Sequence, residues 1–426
     1  MKKLQLSKDS VTGFLLLFAT LAALIWANSP WADSYKHFWE TELMIEVGSF
    51  KLSESLHHWV NDGLMALFFF HVGLEIKAEL VGGELNTFRK SILPVAAAFG
   101  GMFVPVLIYL LVNIGADTAN GWGIPMATDI AFAVVLLAAF KNRVPAGLIV
   151  FLTALAVVDD LGSILVIAIF YSSGTDLMVL SVGLIGFLVL LIGNKAGIRK
   201  SWFYIVIGVA GLWYFFLKSG VHATIAGVLI ALAVPARTRI NGKVFAKGAQ
   251  KILDDFSQTC ESGTKLLTHQ QTDLLEDLRH EVLDAETPLQ HWDRVLEPVV
   301  NFIVLPLFAL ANAGFALSGE SFEVLMAPVG IGIFLALWVG KPLGVFASTY
   351  LLVKLKVAEL PKGANWTQLW GVAALAGIGF TVSLFISELA FKKEAIVEGS
   401  KLSILLASVI ASVTGIFLLS RLPKRE

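Results

Sequence analysis

Long apolar runs separated by short charged segments constrain this chain more than any other feature of its sequence. Nearly every stretch between charges is apolar over about 17 to 25 residues, the length that crosses a bilayer as a helix. Only 15% of the 426 residues are charged and 56% are hydrophobic, whereas a soluble domain carries about 25% charged residues. The sequence therefore predicts an all-α polytopic membrane protein. The net charge of −1 gives no reason to expect a nucleic-acid partner.

The apolar runs predict twelve transmembrane helices in a single transport domain that covers residues 1–426. The first run is expected to be retained, because no small-residue cleavage signal precedes Pro30. Lysine and arginine are concentrated in alternate short loops, which predicts that these loops and both termini face the cytoplasm. The predicted helices lie at residues 11–28, 58–80, 91–114, 121–140, 145–172, 178–193, 202–217, 220–235, 295–316, 325–352, 366–390 and 402–420.

The long outer loop, residues 29–57, contains a stretch at 45–52 in which apolar and polar residues alternate. This alternation around Gly48 and Ser49 predicts a β-hairpin. A lone hairpin is only marginally stable. The hairpin is therefore expected either to pair with a second protomer or to be part of an ordered surface loop.

The long cytoplasmic loop, residues 236–294, is polar but has helical periodicity from Ala246 to Ala285. This pattern predicts a cytoplasmic helix rather than a separate domain. The single cysteine, Cys260, lies in the same loop and is expected to be a free thiol.

Four ionisable side chains lie deep within predicted helices, where a charge costs several kcal/mol and marks a functional site by default. They are Asp129, Asp159, Asp160 and Lys341. Adjacent residues on a helix point about 100° apart, so one of the two neighbouring aspartates can face a water-filled cavity while the other pairs with Lys341. A purely structural ion pair is the alternative, but it leaves two of the carboxylates unexplained.

Carboxylates in such a setting have two competing ligands. Burial and like charges raise the pKa of a carboxyl group, and a lysine partner lowers it, so the group can titrate near neutral pH as part of a coupled set. Its carboxylate form binds hard cations such as Na⁺, which prefer oxygen ligands. A site that binds either H⁺ or Na⁺ and is exposed alternately to each side of the membrane performs antiport.

Two of the predicted helices carry residues that interrupt helical structure. Gly121, Gly123 and Pro125 lie in the fourth predicted helix, and Gly377 and Gly379 lie in the eleventh. Such interruptions at corresponding positions indicate inverted repeats, here the third to fifth and tenth to twelfth helices, with a binding site between them. Glycines that serve only helix packing are the alternative explanation.

If the two broken helices cross, helix ends of like sign face each other at the break. Asp129 would then compensate the positive N-terminal ends, and Lys341 would compensate the negative C-terminal ends.

Eight short stretches, in the same order along nearly the whole chain, resemble the NhaA family of bacterial Na⁺/H⁺ antiporters. They are NDGLMA at 61–66, VGLE at 72–75, ATDIAFA at 127–133, VDDLG at 158–162, SGVHAT at 219–224, LPLFALANAG at 305–314, GKPLG at 340–344 and GIGFT at 377–381. The resemblance implies electrogenic exchange of cytoplasmic Na⁺ or Li⁺ for external H⁺, without a cofactor, in the bacterial inner membrane. It also implies a homodimer in lipid that is formed partly through residues 45–52.

The resemblance also implies roles for individual residues. Asp160, with Thr128 and Asp129, would form the cation site, and Asp159 would form an ion pair with Lys341 that breaks and re-forms during transport. The matching motifs also contain supporting residues, namely Asp62, His222, Gly377, Gly379 and Thr381.

The stretch at residues 292–298 departs from the family pattern. Well-known members carry a Glu-His pair and a further histidine there, which are linked to the response to pH. This chain has Arg294 and Glu297 instead, and neither titrates near neutrality as histidine does. Glu75, Glu79 and Asp293 are weaker candidates for a pH response, and each is also compatible with a solvated helix end.

Other classes of membrane protein have sequence motifs of their own, which can be compared with this sequence. An intramembrane aspartyl protease would need Gly-x-Gly-Asp and Pro-Ala-Leu motifs, which do not occur in this sequence. The residues alone do not exclude a channel or a Na⁺-coupled transporter of organic solutes.

Overall fold

The computed structural model describes residues 8–47, 50–172, 174–259 and 266–423, and these form mainly helices. In chain order the helices are α1 Lys8–Ala27, α2 Ala32–Glu40, α3 residues 56–81, α4 Phe88–Val112, α5 in two parts (Asp117–Met126 and Ile130–Ala138), α6 Ala146–Phe170, α7 Leu177–Lys195, α8 Ser201–Ser219, α9 Thr224–Ala233, α10 Gly242–Gln258, α11 His269–Ala285, α12 Pro288–Asn312, α13 Gly319–Met326, α14 Pro328–Lys354, α15 Trp366–Ala376, α16 Phe380–Ala390 and α17 Glu394–Ser420.

Eight of the described helices are long and apolar enough to cross a bilayer, or up to ten if each bent pair counts as one span. One bent pair is α15 with α16, which meet at 43°, and the other is α1 with α2, which meet at 112°. Each of the twelve predicted segments contains helix, but α9 has only ten residues. The structure therefore confirms a polytopic helical protein, and the number of spans stays a prediction.

Several helix boundaries differ from those predicted, and capping explains two of them. Gly220 adopts a left-handed conformation with φ of 81°, which ends α8 and delays α9 to Thr224. Thr287 forms a capping box with Gln290, so α12 begins well before residue 295. The last helix, α17, begins at Glu394 instead of 402.

The long polar loop contains two helices where the periodicity predicted one. Asn241 caps α10 by accepting a hydrogen bond from the backbone of Val244, and Thr268 forms a capping box with Gln271 at the start of α11. The cap at Thr268 lies inside the stretch 246–285, for which the periodicity predicts one helix, and it starts a second helix there. Cys260 lies outside the described residues.

The predicted hairpin is confirmed as a two-stranded antiparallel sheet. Strand β1, Glu42–Val47, pairs with strand β2, Phe50–Ser55, and Ile45 lies opposite Leu52. The predicted turn residues Gly48 and Ser49 lie outside the described part of the chain.

Four wide π-helical turns interrupt the longer helices, at Trp59–Leu64, Ile207–Trp213, Val300–Val304 and Ala336–Gly340. Such turns change the direction in which the following side chains point and are frequent at functional sites. The turn in α14 ends immediately before Lys341.

The crossing of α4 and α14 brings two backbones into direct contact. A Cβ atom on Gly344 would lie 2.0 Å from the Gly100 carbonyl oxygen, and one on Gly100 would lie 2.3 Å from the Gly344 carbonyl. Only glycine allows this approach. Because Lys341 lies one turn before Gly344, the close crossing holds the base of its side chain in the interior.

Candidate functional site

The two helix breaks, at residues 127–129 in α5 and 377–379 between α15 and α16, face each other. The backbone nitrogen of Asp129 donates a hydrogen bond to the Ile378 carbonyl at 2.7 Å. Ser383 Oγ donates to the Ile124 carbonyl at 2.8 Å. Groups released by unwinding one helix therefore find partners in the other, as buried backbone requires.

Asp129 lies between the N-terminal ends of two half-helices. Its Oδ1 accepts a hydrogen bond from the backbone nitrogen of Phe132 in the second half of α5. Its Oδ2 accepts from the backbone nitrogen and Oγ1 of Thr381, at the start of α16, at 3.1 and 2.6 Å. A buried carboxylate at this point interacts favourably with both helix dipoles.

Lys341 lies on the opposite, carbonyl-rich side of the crossing. Its Nζ is 2.8 Å from Asp159 Oδ2, and neither side chain is accessible to solvent. The same Nζ donates to the carbonyl of Met126, the last residue of the first half of α5. The ammonium group therefore contacts both a carboxylate and a helix C-terminal end.

The adjacent aspartates of α6 have different surroundings. Asp159 Oδ2 accepts from Thr128 Oγ1 at 2.7 Å as well as contacting Lys341, and Thr128 Oγ1 also lies 3.1 Å from the Ala376 carbonyl. Oδ1 of each aspartate has no hydrogen-bond partner among the described residues. Asp160 lines a cavity and Asp159 does not, so the residue turned away from the lysine is the second of the pair.

This cavity has a volume of about 150 Å³ and is enough for several water molecules. Its deep end is formed by Thr128, Asp129, Asp160 and Thr381. The rest of its wall includes Thr12, His71, Glu75, Glu297 and Asn301. The described wall contains four carboxylates and no lysine or arginine, and a low-dielectric cleft lined by one sign of charge concentrates counter-ions.

A second cavity, of about 590 Å³, lies at the other end of α1. It is lined by Ala27 at the C-terminal end of that helix, whereas the first cavity is lined by Thr12 near its N-terminal end. Its inner wall carries the ion pair of Glu388 with Lys401, at 2.6 Å.

Packed aromatic side chains separate the two cavities. On α12, Leu305 lines the first cavity and Ala311 the second, and the fully buried Phe308 lies between them. On α16, Phe385 lies in the same way between Thr381 and Glu388, and its ring is 6.3 Å from that of Phe308. These two rings therefore lie between the site and the second cavity.

Other residues singled out from the sequence lie apart from the deep end of the cavity. The Asp62 carbonyl accepts a hydrogen bond from Trp213 Nε1, and His222 Nε2 lies 3.0 Å from the Tyr171 carbonyl. Glu79 accepts a hydrogen bond from the backbone of Glu84 in the turn after α3.

Gly377 and Gly379 shape the break between α15 and α16. A Cβ atom on Gly377 would lie 2.6 Å from the carbonyl oxygen of Leu337, and one on Gly379 would lie 3.0 Å from that residue's side chain. Leu337 belongs to the π-turn of α14 that precedes Lys341. These glycines therefore let the break pack against the segment that carries the lysine.

Sequence reasoning missed two features of the site. His71 is buried next to Glu75 and Asp293, which contact it while staying partly exposed. The spacing of His71 and Glu75, four residues apart on one helix, could have indicated the contact. The helix predicted at 402–420 leaves Lys401 just outside it, yet Lys401 is buried within α17 and paired with Glu388.

Comparison with known proteins agrees with this geometry. The family described as "Na+/H+ antiporter 1" matches residues 3–419. The chain belongs to this family. An NhaA-named relative from Syntrophotalea carbinolica is 46% identical over 415 residues, which cover 97% of this chain and 94% of the relative. Another NhaA-named antiporter, from Oleidesulfovibrio alaskensis, is 46% identical over 96% of this chain and 91% of its own length.

The fold is also similar to that of a solved structure. The sodium proton antiporter MjNhaP1 from Methanocaldococcus jannaschii, at pH 8, aligns with a TM-score of 0.50 at 12% identity and covers 97% of each chain. Proteins of the Na⁺/H⁺ antiporter 1 family are secondary transporters of the inner membrane, not enzymes. The chain is accordingly an integral membrane protein surrounded by lipid.

Removing the lysine should destabilise the protein strongly. Lys341→Ala leaves Asp159 buried without its cation, which costs about 3–5 kcal/mol for a buried pair, so the thermal midpoint in detergent should fall markedly. The matched control is Lys36→Ala, since Lys36 pairs with Glu394 at 3.1 Å on the surface, where both side chains are more than half exposed and such pairs contribute about 0–1 kcal/mol.

The double variant Asp159→Asn with Lys341→Met should recover part of the loss, because it removes both buried charges. Equal thermal midpoints for Lys341→Ala and Lys36→Ala would contradict the importance of the buried pair.

Proposed function

We propose that this chain is a secondary active antiporter that exchanges cytoplasmic Na⁺ or Li⁺ for external H⁺, with both ions competing for Asp160. One observation carries the proposal. Asp160 lines the cavity directly beside the fully buried Asp159–Lys341 pair, and its Oδ1 has no hydrogen-bond partner within the described part of the chain. A carboxylate in this state gains a ligand by binding either a proton or a hard cation.

The deep end of the cavity offers oxygen ligands for a small monovalent cation. Carboxylate oxygens of Asp160 and Asp129 and the hydroxyl of Thr128 surround the same space. Hard cations prefer such oxygen ligands, and cavity water can complete the coordination. Protonation of Asp160 removes the negative charge that holds the cation, so the two ligands exclude each other.

The ion pair of Asp159 with Lys341 couples a second protonation to the cycle. A cation bound at Asp160 lies next to the Asp159–Lys341 pair and repels the ammonium group. Release of a proton from this coupled set, together with the one from Asp160, moves more protons than sodium ions in each cycle. Exchange in that ratio is electrogenic.

The broken helices are proposed as the moving element, within a fold of twelve spans whose inverted repeats are α4–α6 and α14–α17. With both termini in the cytoplasm, the cavity at the Thr12 end of α1 opens inward and supplies Na⁺. Rearrangement of Phe308, Phe385 and the Glu388–Lys401 pair would open the site to the outer cavity.

Two features weigh against the rival functions. The inner cavity, at about 150 Å³, is smaller than the roughly 300 Å³ at the lower end of pockets for organic ligands, which disfavours a Na⁺-coupled solute transporter. The packed aromatic side chains between the cavities disfavour an open channel.

The β-hairpin is proposed as part of a dimer contact in the membrane. Strands β1 and β2 form a two-stranded sheet, so each strand has one edge that pairs with no other strand of the described chain, and edges of this kind pair readily with a second copy.

Asp160→Asn should abolish Na⁺-dependent collapse of a pH gradient in everted vesicles, because the amide can neither ionise nor hold a cation by charge. The matched control is Asp176→Asn: Asp176 is an exposed N-cap of α7, and asparagine caps about equally well. Near-normal exchange in Asp160→Asn would refute the site. Dissipation in wild type by choline as well as Na⁺ and Li⁺ would instead favour a leak or channel.

Deleting residues 45–52 should lower the dimer fraction in detergent, measured by light scattering with size exclusion. Monomeric protein should keep its Na⁺-dependent exchange, because the hairpin contributes no residue to the inner cavity. An unchanged dimer fraction would show that the contact lies elsewhere.

A further inference from the structure

A histidine and two carboxylates meet beside the inner cavity, away from Asp160. His71 and Glu75 lie one turn apart on α3, and Asp293 approaches from α12. His71 Nδ1 lies 3.1 Å from Asp293 Oδ1, and His71 Nε2 lies 3.7 Å from Glu75 Oε1. The exchange chemistry proposed above uses none of these three side chains.

The imidazole is buried between carboxylates. Only 8% of the His71 side chain is exposed. Its Nδ1 lies 3.1 Å from Asp293 Oδ1, and apart from this contact neither atom has a hydrogen-bond partner among the described residues. A proton or a metal ion between the two atoms would satisfy both.

We propose that His71, Glu75 and Asp293 form a binding site for a divalent transition-metal ion of the Zn²⁺ type. One ligand atom from each residue lies within 4.8 Å of the others. Metal bonds of about 2.0–2.2 Å in tetrahedral geometry need ligand atoms about 3.3–3.5 Å apart. A single imidazole nitrogen would bind the ion, so the carboxylate that now contacts the other nitrogen has to rotate towards it. Water from the cavity can take the fourth position.

The ligand set selects among cations. Imidazole nitrogen combined with carboxylate oxygen suits Zn²⁺ and its neighbours in the transition series, whereas Na⁺, Mg²⁺ and Ca²⁺ prefer sites made of oxygen alone. The site therefore differs in chemistry from the one at Asp160. Glu75 and Asp293 remain partly exposed, at 40% and 38%, which provides a path for the ion to enter.

The position of the site predicts its effect, and this step rests on the proposed function. Two of the three ligands, His71 and Glu75, line the cavity that supplies Asp160, together with Glu297. A bound divalent ion places positive charge at this wall and occupies the Glu75 carboxylate. Entry of Na⁺ is then opposed by repulsion and by loss of the attracting charges.

The test is Zn²⁺ binding to the purified full chain, without a histidine tag, by isothermal titration calorimetry in detergent. Wild type should show a saturable site that His71→Gln and Asp293→Asn each weaken at least tenfold. The matched control is His291→Gln: His291 also lies near a carboxylate, Glu286, at 3.4 Å, but Arg294 already binds that carboxylate at 2.8 Å. This control should leave the site unchanged.

A hundredfold excess of Mg²⁺ or Ca²⁺ should not displace the Zn²⁺. Absence of a saturable site in wild type, or equal affinity in wild type and both ligand variants, would overturn the proposal.

A second readout separates this site from the proposed function. In proteoliposomes, Zn²⁺ should inhibit Na⁺-dependent exchange by wild type and by His291→Gln, and should inhibit His71→Gln at least tenfold less potently. If wild type binds Zn²⁺ as expected but shows no Na⁺-dependent exchange, the antiport proposal fails while the metal site stands. If Zn²⁺ binds and exchange continues unaffected, the blocking role is overturned.

Discussion

The ion pair between Asp159 and Lys341 is the interaction on which the rest of this site depends. Both side chains are fully buried, and an unpaired charge at such a depth is costly. Lys341 contacts the carboxylate of Asp159 on α6 and the carbonyl of Met126 at the end of the first half of α5. Breaking helix α5 at this level supplies that carbonyl, so the charge and the break support each other.

The same logic accounts for Asp129 on the other side of the crossing. Its carboxylate accepts hydrogen bonds from Phe132 and Thr381, at the N-terminal ends of two half-helices. The crossing of two broken helices thus creates one electropositive site, at the N-terminal ends of the half-helices, and one electronegative site, at a C-terminal end, both at membrane depth. Each is matched by a side chain of opposite charge, which leaves Asp160 as the carboxylate of α6 that a transported ion can satisfy.

Much of this arrangement could be predicted from the sequence, because it follows from local geometry. The 100° between adjacent helical residues separates Asp159 from Asp160, and the glycine and proline positions locate the breaks. Which aspartate contacts the lysine depends on how α6 packs against α14, and only the resemblance to a family indicated it. The contact of His71 with Asp293 joins distant parts of the chain, so local patterns do not predict it. Helix α17 begins earlier than predicted, and Lys401 is therefore buried within it.

Competition between Na⁺ and H⁺ at Asp160 is the central claim, and the pH dependence of the apparent Na⁺ affinity tests it most directly. Reconstituted protein on a solid-supported membrane gives the half-saturating Na⁺ concentration from charge movement at each pH. The account predicts that this concentration rises by about tenfold per pH unit of acidification for each competing proton, while saturating Na⁺ restores the maximal signal. A half-saturating concentration that stays constant with pH, while the maximal signal falls in acid, would contradict competition at one site.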